Sequence, residues 1–190
     1  MLSCTSLGRA HIHSVNCQCG EVRLSRRSAL RLGLGAAFAG VTLNVASRAM
    51  AASGHYEAML LNCIDPRFVT NSVSYMNDEH LKEKYSHFVL AGGPIGVVAP
   101  KFSTWHQTFW DNLAVSVQLH NIHKVVALSH RDCGAAKIAF GDAAVATPEA
   151  ETAAHVKALQ AFRSQVNKKQ PKLEVITGVM ALDGSVLVVG

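Results

Sequence analysis

The sequence predicts an α/β fold with a mainly parallel central sheet, flanking helices and an antiparallel hairpin at the carboxyl end. Short apolar runs alternate with longer segments of helical character, and this alternation is typical of parallel strands joined by helical crossovers. The last two apolar runs are separated only by a short Asp-Gly turn, which indicates a hairpin. These features lie in residues 52–190, which we interpret as one folded domain.

The five predicted strands are short apolar runs that end at turn residues. Pro66 follows the first strand, Gly92-Gly93-Pro94 follows the second, and Asp183-Gly184 separates the fourth from the fifth. Glycine and proline interrupt regular strands, so these positions define the strand ends. The predicted strands are residues 58–64, 86–91, 124–129, 173–180 and 185–189.

The helix predicted between the second and third strands has one apolar face. Its apolar residues recur every four positions, as expected when one side of a helix packs on a core: Trp105, Phe109, Leu113 and Val117. Ser103 or Thr104 is predicted as the N-cap, and the helix ends near Asn121. Trp105 and Phe109 are therefore interpreted as core or dimer-packing residues.

Two further segments are predicted helices, and one is a predicted loop. Thr147 is the N-cap of a long helix with Pro148 at its first position, and Pro171 stops it. The inner side of this helix carries Val156, Leu159, Phe162 and Val166. A polar stretch at residues 70–84 has helical character, whereas residues 95–102 are predicted to be a loop.

The net charge of the chain is concentrated at its amino end. The formal net charge is +5, and residues 1–51 hold six basic residues but a single acid, Glu21. Residues 52–190 then hold 12 basic and 12 acidic residues. Nucleic-acid binding normally needs a basic surface, so we expect no nucleic-acid partner for this domain.

Residues 1–51 have the order of a signal peptide. Arg26-Arg27 precedes a mildly apolar stretch at residues 32–46, and Ala49-Met50-Ala51 forms a cleavage site with small residues. The paired arginines indicate a twin-arginine type signal, cleaved after Ala51, and therefore export to a bacterial periplasm. The apolar stretch is short and contains glycines, so no stable membrane span is expected after cleavage. An uncleaved amphipathic anchor or a transit peptide is the alternative.

Two short motifs carry residue types that bind metals. Cys63-Ile64-Asp65-Pro66-Arg67 stands at the end of the first predicted strand, and His130-Arg131-Asp132-Cys133-Gly134 at the end of the third. Ligand sites of parallel sheets lie at the carboxyl ends of strands, so both motifs are expected to converge on one site. Two thiolates and an imidazole are normal zinc ligands, and three protein ligands leave one position open for water. A Cys63–Cys133 disulfide is the alternative in an oxidising compartment.

Asp65 and Arg67 are two positions apart, so on an extended strand end they share one face. Arginine can hold a carboxylate with two parallel hydrogen bonds. A carboxylate fixed in this way could accept a hydrogen bond from a metal-bound hydroxide and direct it at a substrate. Arg131 and Asp132 are interpreted as surface or supporting residues.

Cys-x-Asp-x-Arg, followed further along the chain by His-x-x-Cys-Gly, resembles the β-class carbonic anhydrase family. Residues 119–136 and the hairpin at 175–189 extend the resemblance. It implies that Cys63, His130 and Cys133 hold Zn²⁺ and that Asp65 and Arg67 form a catalytic dyad. The implied reaction is reversible hydration of CO2 to bicarbonate and a proton by zinc-bound hydroxide. The resemblance also implies a closed form with Asp65 as fourth zinc ligand, and a homodimer or higher oligomer.

The segment after the second strand departs from the family pattern. The family usually has Arg-Asn-Ala-Gly there, whereas this chain has Val89-Leu90-Ala91-Gly92. Gly92 is the residue of this segment that we predict to contact substrate. The departure leaves two alternatives open: a zinc hydrolase of a sulfur analogue, carbonyl sulfide or carbon disulfide, and a non-catalytic module that binds zinc or bicarbonate.

Overall fold

The computed structural model describes residues 55–190, in which five strands form one sheet in the order β2-β1-β3-β4-β5. The first four strands are parallel, and β5 runs antiparallel to β4. This arrangement confirms the predicted fold class. The strands are β1 (Ala58–Asn62), β2 (Tyr85–Val89), β3 (Lys124–His130), β4 (Glu174–Met180) and β5 (Val186–Val189). The predicted signal peptide, with its cleavage after Ala51, lies outside the described residues.

The strand register determines where the two motifs emerge. β1 lies between β2 and β3, and Leu61 of β1 is aligned with Ala127 of β3. β3 is two residues longer than β1 and pairs along its whole length with β4. The residues that follow β1 and the last residue of β3 therefore leave the sheet side by side at its carboxyl edge.

Five helices and three short 3-10 turns connect the strands. The helices are α1 (Val69–Asp78), α2 (Pro94–Val98), α3 (Ser103–His120), α4 (Gly134–Phe140) and α5 (Pro148–Lys169). The 3-10 turns are Pro66–Phe68, Pro100–Phe102 and Asp142–Val145. Within residues 55–190, no helix combines the length and the apolar character needed to cross a membrane.

The sheet is covered on both faces, which explains why its central strands are apolar at nearly every position. On one face, Met59 and Leu61 of β1 pack with side chains of α3 and α5, including Phe109 and Phe162. On the other face, Leu60 packs with residues of α1 and of the turn before it, including Met76 and Phe68. The predicted core position of Phe109 is confirmed.

Two helix ends agree with the sequence-based prediction. Thr147 is the N-cap of α5, and its hydroxyl accepts a hydrogen bond from the Ala150 N–H at 3.2 Å. Asn121 ends α3 in the left-handed conformation, with φ of 52°.

Three local predictions are wrong. Residues 95–102 are not a loop: Gly93 turns the chain with φ of 53°, Pro94 begins α2, and the buried apolar side chains of α2 stabilise the helix. Neither Ser103 nor Thr104 caps α3, since the chain enters this helix directly from the 3-10 turn Pro100–Phe102. The helix predicted at residues 70–84 ends at Asp78.

Candidate metal centre

Three potential metal ligands converge at the carboxyl edge of the sheet. Cys63 follows β1, His130 is the last residue of β3, and Cys133 precedes α4. One ligand atom from each side chain lies within 4.8 Å of the other two, and all three residues are buried. Both cysteines are free thiols, so this structure contains the ligand cluster and not the alternative disulfide. The predicted convergence of the two motifs is confirmed.

The orientation of His130 suits a metal ligand. Its Nδ1 lies 2.8 Å from the Arg131 carbonyl oxygen, which can only accept, so Nδ1 carries the proton and donates. The Phe68 ring packs on the imidazole, with the ring centroids 4.1 Å apart. The other nitrogen, Nε2, is buried and has no hydrogen-bond partner within residues 55–190. This tautomer leaves the Nε2 lone pair available to a cation, as in histidines that bind metals.

The two thiols are electrostatically unequal in the metal-free protein. The Cys133 thiol, with further contributions from His130 and the Gly92 N–H, lowers the pKa of Cys63 to about 4 against the opposing effect of burial. The negative charge on Cys63, together with burial, raises the pKa of Cys133. Negative charge therefore resides preferentially on the Cys63 sulfur. A soft or borderline cation bound between these groups would have two sulfurs and one imidazole nitrogen as ligands, a donor set that fits zinc.

Gly92 contacts the sulfur of a proposed ligand. Its backbone N–H donates to Cys63 Sγ at 3.2 Å, which helps to stabilise negative charge on that sulfur. Gly92 has φ of 75°, a conformation that glycine adopts without strain. The contact with Cys63 was not part of the sequence-based interpretation. A contact between Gly92 and substrate stays a prediction.

Asp65 and Arg67 form a closely hydrogen-bonded pair beside the cluster. Arg67 donates from its Nε to Asp65 Oδ1 at 3.1 Å and from a terminal nitrogen to Oδ2 at 2.7 Å. The Arg67 backbone N–H donates to the same carboxylate at 3.0 Å and closes the turn around Pro66. The Arg67 guanidinium, opposed by slight burial, lowers the pKa of Asp65 to about 2. Asp65 is therefore ionised throughout the physiological range.

Arg67 has a second acidic partner that sequence reasoning missed. Asp132 accepts a hydrogen bond from the Arg67 guanidinium with its carboxylate at 2.7 Å and a second with its carbonyl oxygen at 3.1 Å. Its side chain is 74% exposed, which agrees with the predicted surface position. The sequence did contain a signal for this contact. Asp132 stands between His130 and Cys133, and the convergence of the two motifs brings this segment next to Arg67.

An apolar cavity of about 360 Å³ opens beside Cys63 and Asp65. Phe102 and Trp105 form one wall, with their rings stacked at a centroid distance of 4.4 Å and their planes nearly parallel. Ile138 of α4 also lines the cavity. Trp105 is half-buried and packs against the buried cluster around Cys63 and Phe102, as expected for a core residue, and it also lines this cavity. Its role in dimer packing stays a prediction.

The family of the chain follows from its sequence. A family model described as "Putative carbonic anhydrase" matches residues 53–189. The chain belongs to this carbonic anhydrase family. An uncharacterized protein of Rickettsia conorii is 32% identical over 146 residues, which cover 77% of this chain and 78% of that protein. An uncharacterized protein of Rickettsia bellii is 32% identical over 126 residues, covering 66% and 77%, respectively.

Two solved carbonic anhydrase structures match this chain. The β-carbonic anhydrase isoform I of Trichomonas vaginalis matches with a TM-score of 0.50 at 11% identity, covering 86% of this chain and 92% of that chain. The carbonic anhydrase of Glaciozyma antarctica matches with a TM-score of 0.49 at 14% identity, covering 76% and 88%. At 11% identity, the similarity to the Trichomonas vaginalis structure shows the fold alone.

Proposed function

We propose that the chain is a zinc-dependent carbonic anhydrase that reversibly hydrates CO2 to bicarbonate and a proton. The observation that carries the proposal is the buried Cys63–His130–Cys133 cluster, with the hydrogen-bonded Asp65–Arg67 pair beside it. A purely structural zinc site closes its coordination with a fourth cysteine or histidine and needs no such pair. Membership of a carbonic anhydrase family supports the same conclusion.

The ligand set would be the two sulfurs and His130 Nε2, which leave one coordination position open, as in catalytic zinc sites. Bound there, zinc would act as a Lewis acid and lower the pKa of a water molecule enough for attack on CO2 near neutral pH. Gly92 and Arg131 would orient this set, since one donates to the Cys63 sulfur and the other accepts from His130 Nδ1.

Asp65 would act as the hydrogen-bond acceptor that orients the attacking water. Its carboxylate is ionised, because the Arg67 guanidinium lowers its pKa to about 2, and an ionised carboxylate can only accept. Arg67 fixes both oxygens of this carboxylate and so limits the directions in which its remaining lone pairs point. The apolar walls beside it, including Phe102 and Trp105, suit a small neutral molecule such as CO2.

Stopped-flow CO2 hydration near pH 8.5 tests the proposal on the zinc-loaded chain. We expect fast hydration by the wild type and a roughly 10- to 100-fold loss in Asp65→Asn, because the amide cannot replace the acceptor that orients the water. Asp78→Asn, an exposed acid at the end of α1, serves as the matched control and should leave the rate unchanged. Zinc-replete wild type without hydration would contradict the proposal.

The second candidate is hydrolysis of carbonyl sulfide or carbon disulfide. The observation that favours it is Leu90, which stands in the segment where the family usually has Arg-Asn. The apolar wall of the cavity would admit these small neutral molecules as well as CO2. Turnover of CO2 and of both sulfur analogues by one preparation separates the candidates, and a preference for CO2 argues against this one. A zinc-replete chain that turns over none of them would instead be a non-catalytic zinc- or bicarbonate-binding module.

Export and assembly are also proposals. The paired arginines Arg26 and Arg27 support periplasmic localisation, and fractionation of cells that express wild type or an Arg26→Lys, Arg27→Lys variant tests it. If export depends on the two arginines, the wild type is found in the periplasm and the variant remains in the cytoplasm. The proposed homodimer or higher oligomer is tested by light scattering on purified protein, where the mass of one chain would contradict it.

A further inference from the structure

The link between His130 and Cys133 contains only Arg131 and Asp132, and its backbone is strained. Asp132 has φ of 55°, in the left-handed region that residues other than glycine rarely adopt. Such a conformation persists only where surrounding contacts stabilise it. The link joins two proposed ligands, His130 and Cys133. A contact that fixes the conformation of Asp132 therefore also fixes the distance between these two ligands.

The contact that holds the link comes from α5. Glu151 accepts a hydrogen bond from the Asp132 backbone N–H at 2.6 Å with Oε1, and one from the Arg131 guanidinium at 3.1 Å with Oε2. One carboxylate therefore binds both residues of the link. The Glu151 side chain is only 13% exposed, and both hydrogen bonds are charge-assisted, because the acceptor is a carboxylate. Arg131 also donates to the Pro148 carbonyl at 3.2 Å, which ties it to the first residue of the same helix.

The same link continues to the Asp65–Arg67 pair. Asp132, whose backbone N–H is held by Glu151, binds the Arg67 guanidinium through its carboxylate and its carbonyl oxygen. Arg67 in turn binds both oxygens of Asp65. A continuous series of hydrogen bonds therefore runs from α5, through the link, to the carboxylate beside the cluster.

We propose that Glu151 is a positioning residue for the metal centre: it fixes the Arg131–Asp132 link and thereby the relative positions of His130, Cys133 and Arg67. The inference rests on the proposed zinc site. Removing the carboxylate would leave the Asp132 N–H and the Arg131 guanidinium without their partner, and the strained link would relax. The ligands themselves would remain, with their geometry less well defined.

Zinc affinity, measured by chelator competition on the full-length chain, tests the inference. Glu151→Ala should raise the zinc dissociation constant about 10- to 100-fold, as loss of a group that orients ligands typically does. Glu149→Ala is the matched control, because Glu149 is an exposed acid in the same helical turn and carries the same charge near the helix end. It should leave the affinity unchanged. Glu151→Gln should give an intermediate value, since the two donors bind different oxygens of Glu151 and the amide nitrogen that replaces one of them cannot accept.

The absorption spectrum of the cobalt-substituted chain provides a second readout, which general destabilisation would not change. Altered ligand geometry in Glu151→Ala should shift the visible bands, whereas Glu149→Ala should reproduce the wild-type spectrum. If Glu151→Ala does not fold, Glu151→Gln decides the question by the same two measurements.

Equal affinity and equal spectra in the Glu151 and Glu149 variants would overturn the inference, as would a wild-type chain that takes up neither zinc nor cobalt. Failure of the proposed function is distinguishable. A wild type that binds zinc without hydrating CO2 contradicts the function, and weaker zinc binding in Glu151→Ala would still support the positioning role.

Discussion

The two loops that supply the cluster are stabilised in different ways. The first loop, residues 63–67, is stabilised by its own residues, because Arg67 binds the Asp65 carboxylate with its backbone and its side chain around Pro66. The second loop, residues 130–133, has a strained backbone at Asp132 and is held by Glu151 from α5. The first loop therefore depends on local sequence and the second on the packing of a distant helix, and the two should respond differently to substitution and to acid.

The largest effect on zinc affinity is expected from substitution of the proposed ligands, which both loops supply. Cys133→Ser replaces a thiolate by a hydroxyl that zinc binds poorly, so the zinc dissociation constant should rise by more than the ~100-fold upper range for groups that only orient ligands. Cys63→Ser should have the same effect, because each loop supplies one sulfur. Metal content after dialysis, measured by mass spectrometry, checks this. Either variant retaining one zinc per chain would exclude that cysteine as a ligand.

As the pH falls, the surroundings of Glu151, which holds the second loop, should titrate before the Asp65 carboxylate of the first loop. His155 of α5 is fully buried, with its Nε2 3.9 Å from Glu151, and burial lowers its pKa to about 4, although the Glu151 charge opposes this. Positive charge on nearby His130 and Arg131 acts in the same direction as burial. The unfolded chain binds a proton near pH 6.5 and the folded chain does so only near pH 4. Stability from His155 is therefore complete above pH 6.5 and is lost as the pH falls towards 4.

The predicted loss is about 2 to 3 kcal/mol in the free energy of unfolding of the metal-free chain between pH 6.5 and pH 4. Denaturant unfolding at several pH values measures it. His155→Leu should reduce the pH dependence by this amount, and His123→Leu, at an exposed position after α3, should leave it unchanged. Identical pH dependence in all three proteins would refute the role of His155. Asp65, with a pKa of about 2, should stay ionised over the whole range.

The smallest effect is expected where the two loops meet, at Asp132. Asp132→Asn weakens an exposed ion pair with Arg67 but leaves the carbonyl contact and the Asp65–Arg67 pair in place. Exposed ion pairs contribute at most about 1 kcal/mol, so the CO2 hydration rate should fall by no more than about fivefold. Stopped-flow rates for Asp132→Asn and Asp65→Asn, compared at equal zinc content, check the difference. If Asp132→Asn lowered the hydration rate as much as Asp65→Asn, the predicted difference between the two acids would be wrong.

The same contrast explains how much could be predicted from the sequence. The strands, their parallel arrangement and the candidate ligands of both loops follow from short segments, because apolar runs and the two motifs are local patterns. Glu151 lies in another helix, and its contact with Asp132 exists only once α5 packs against the sheet. α2 was predicted as loop because glycine and proline disfavour helices, but burial of residues such as Ile95 and Val97 outweighs this weak preference.

The stacked pair at the cavity wall gives the protein a built-in optical probe. The chain has two tryptophans. Trp110 packs against Phe109, with the Lys169 ammonium 5.0 Å above its ring, whereas Trp105 stacks on Phe102 beside Cys63. Indole emission depends on the polarity and the quenching groups around the ring. In a Trp110→Phe chain, fluorescence would therefore report only from the cavity, and occupancy of the site could be followed in real time without any label.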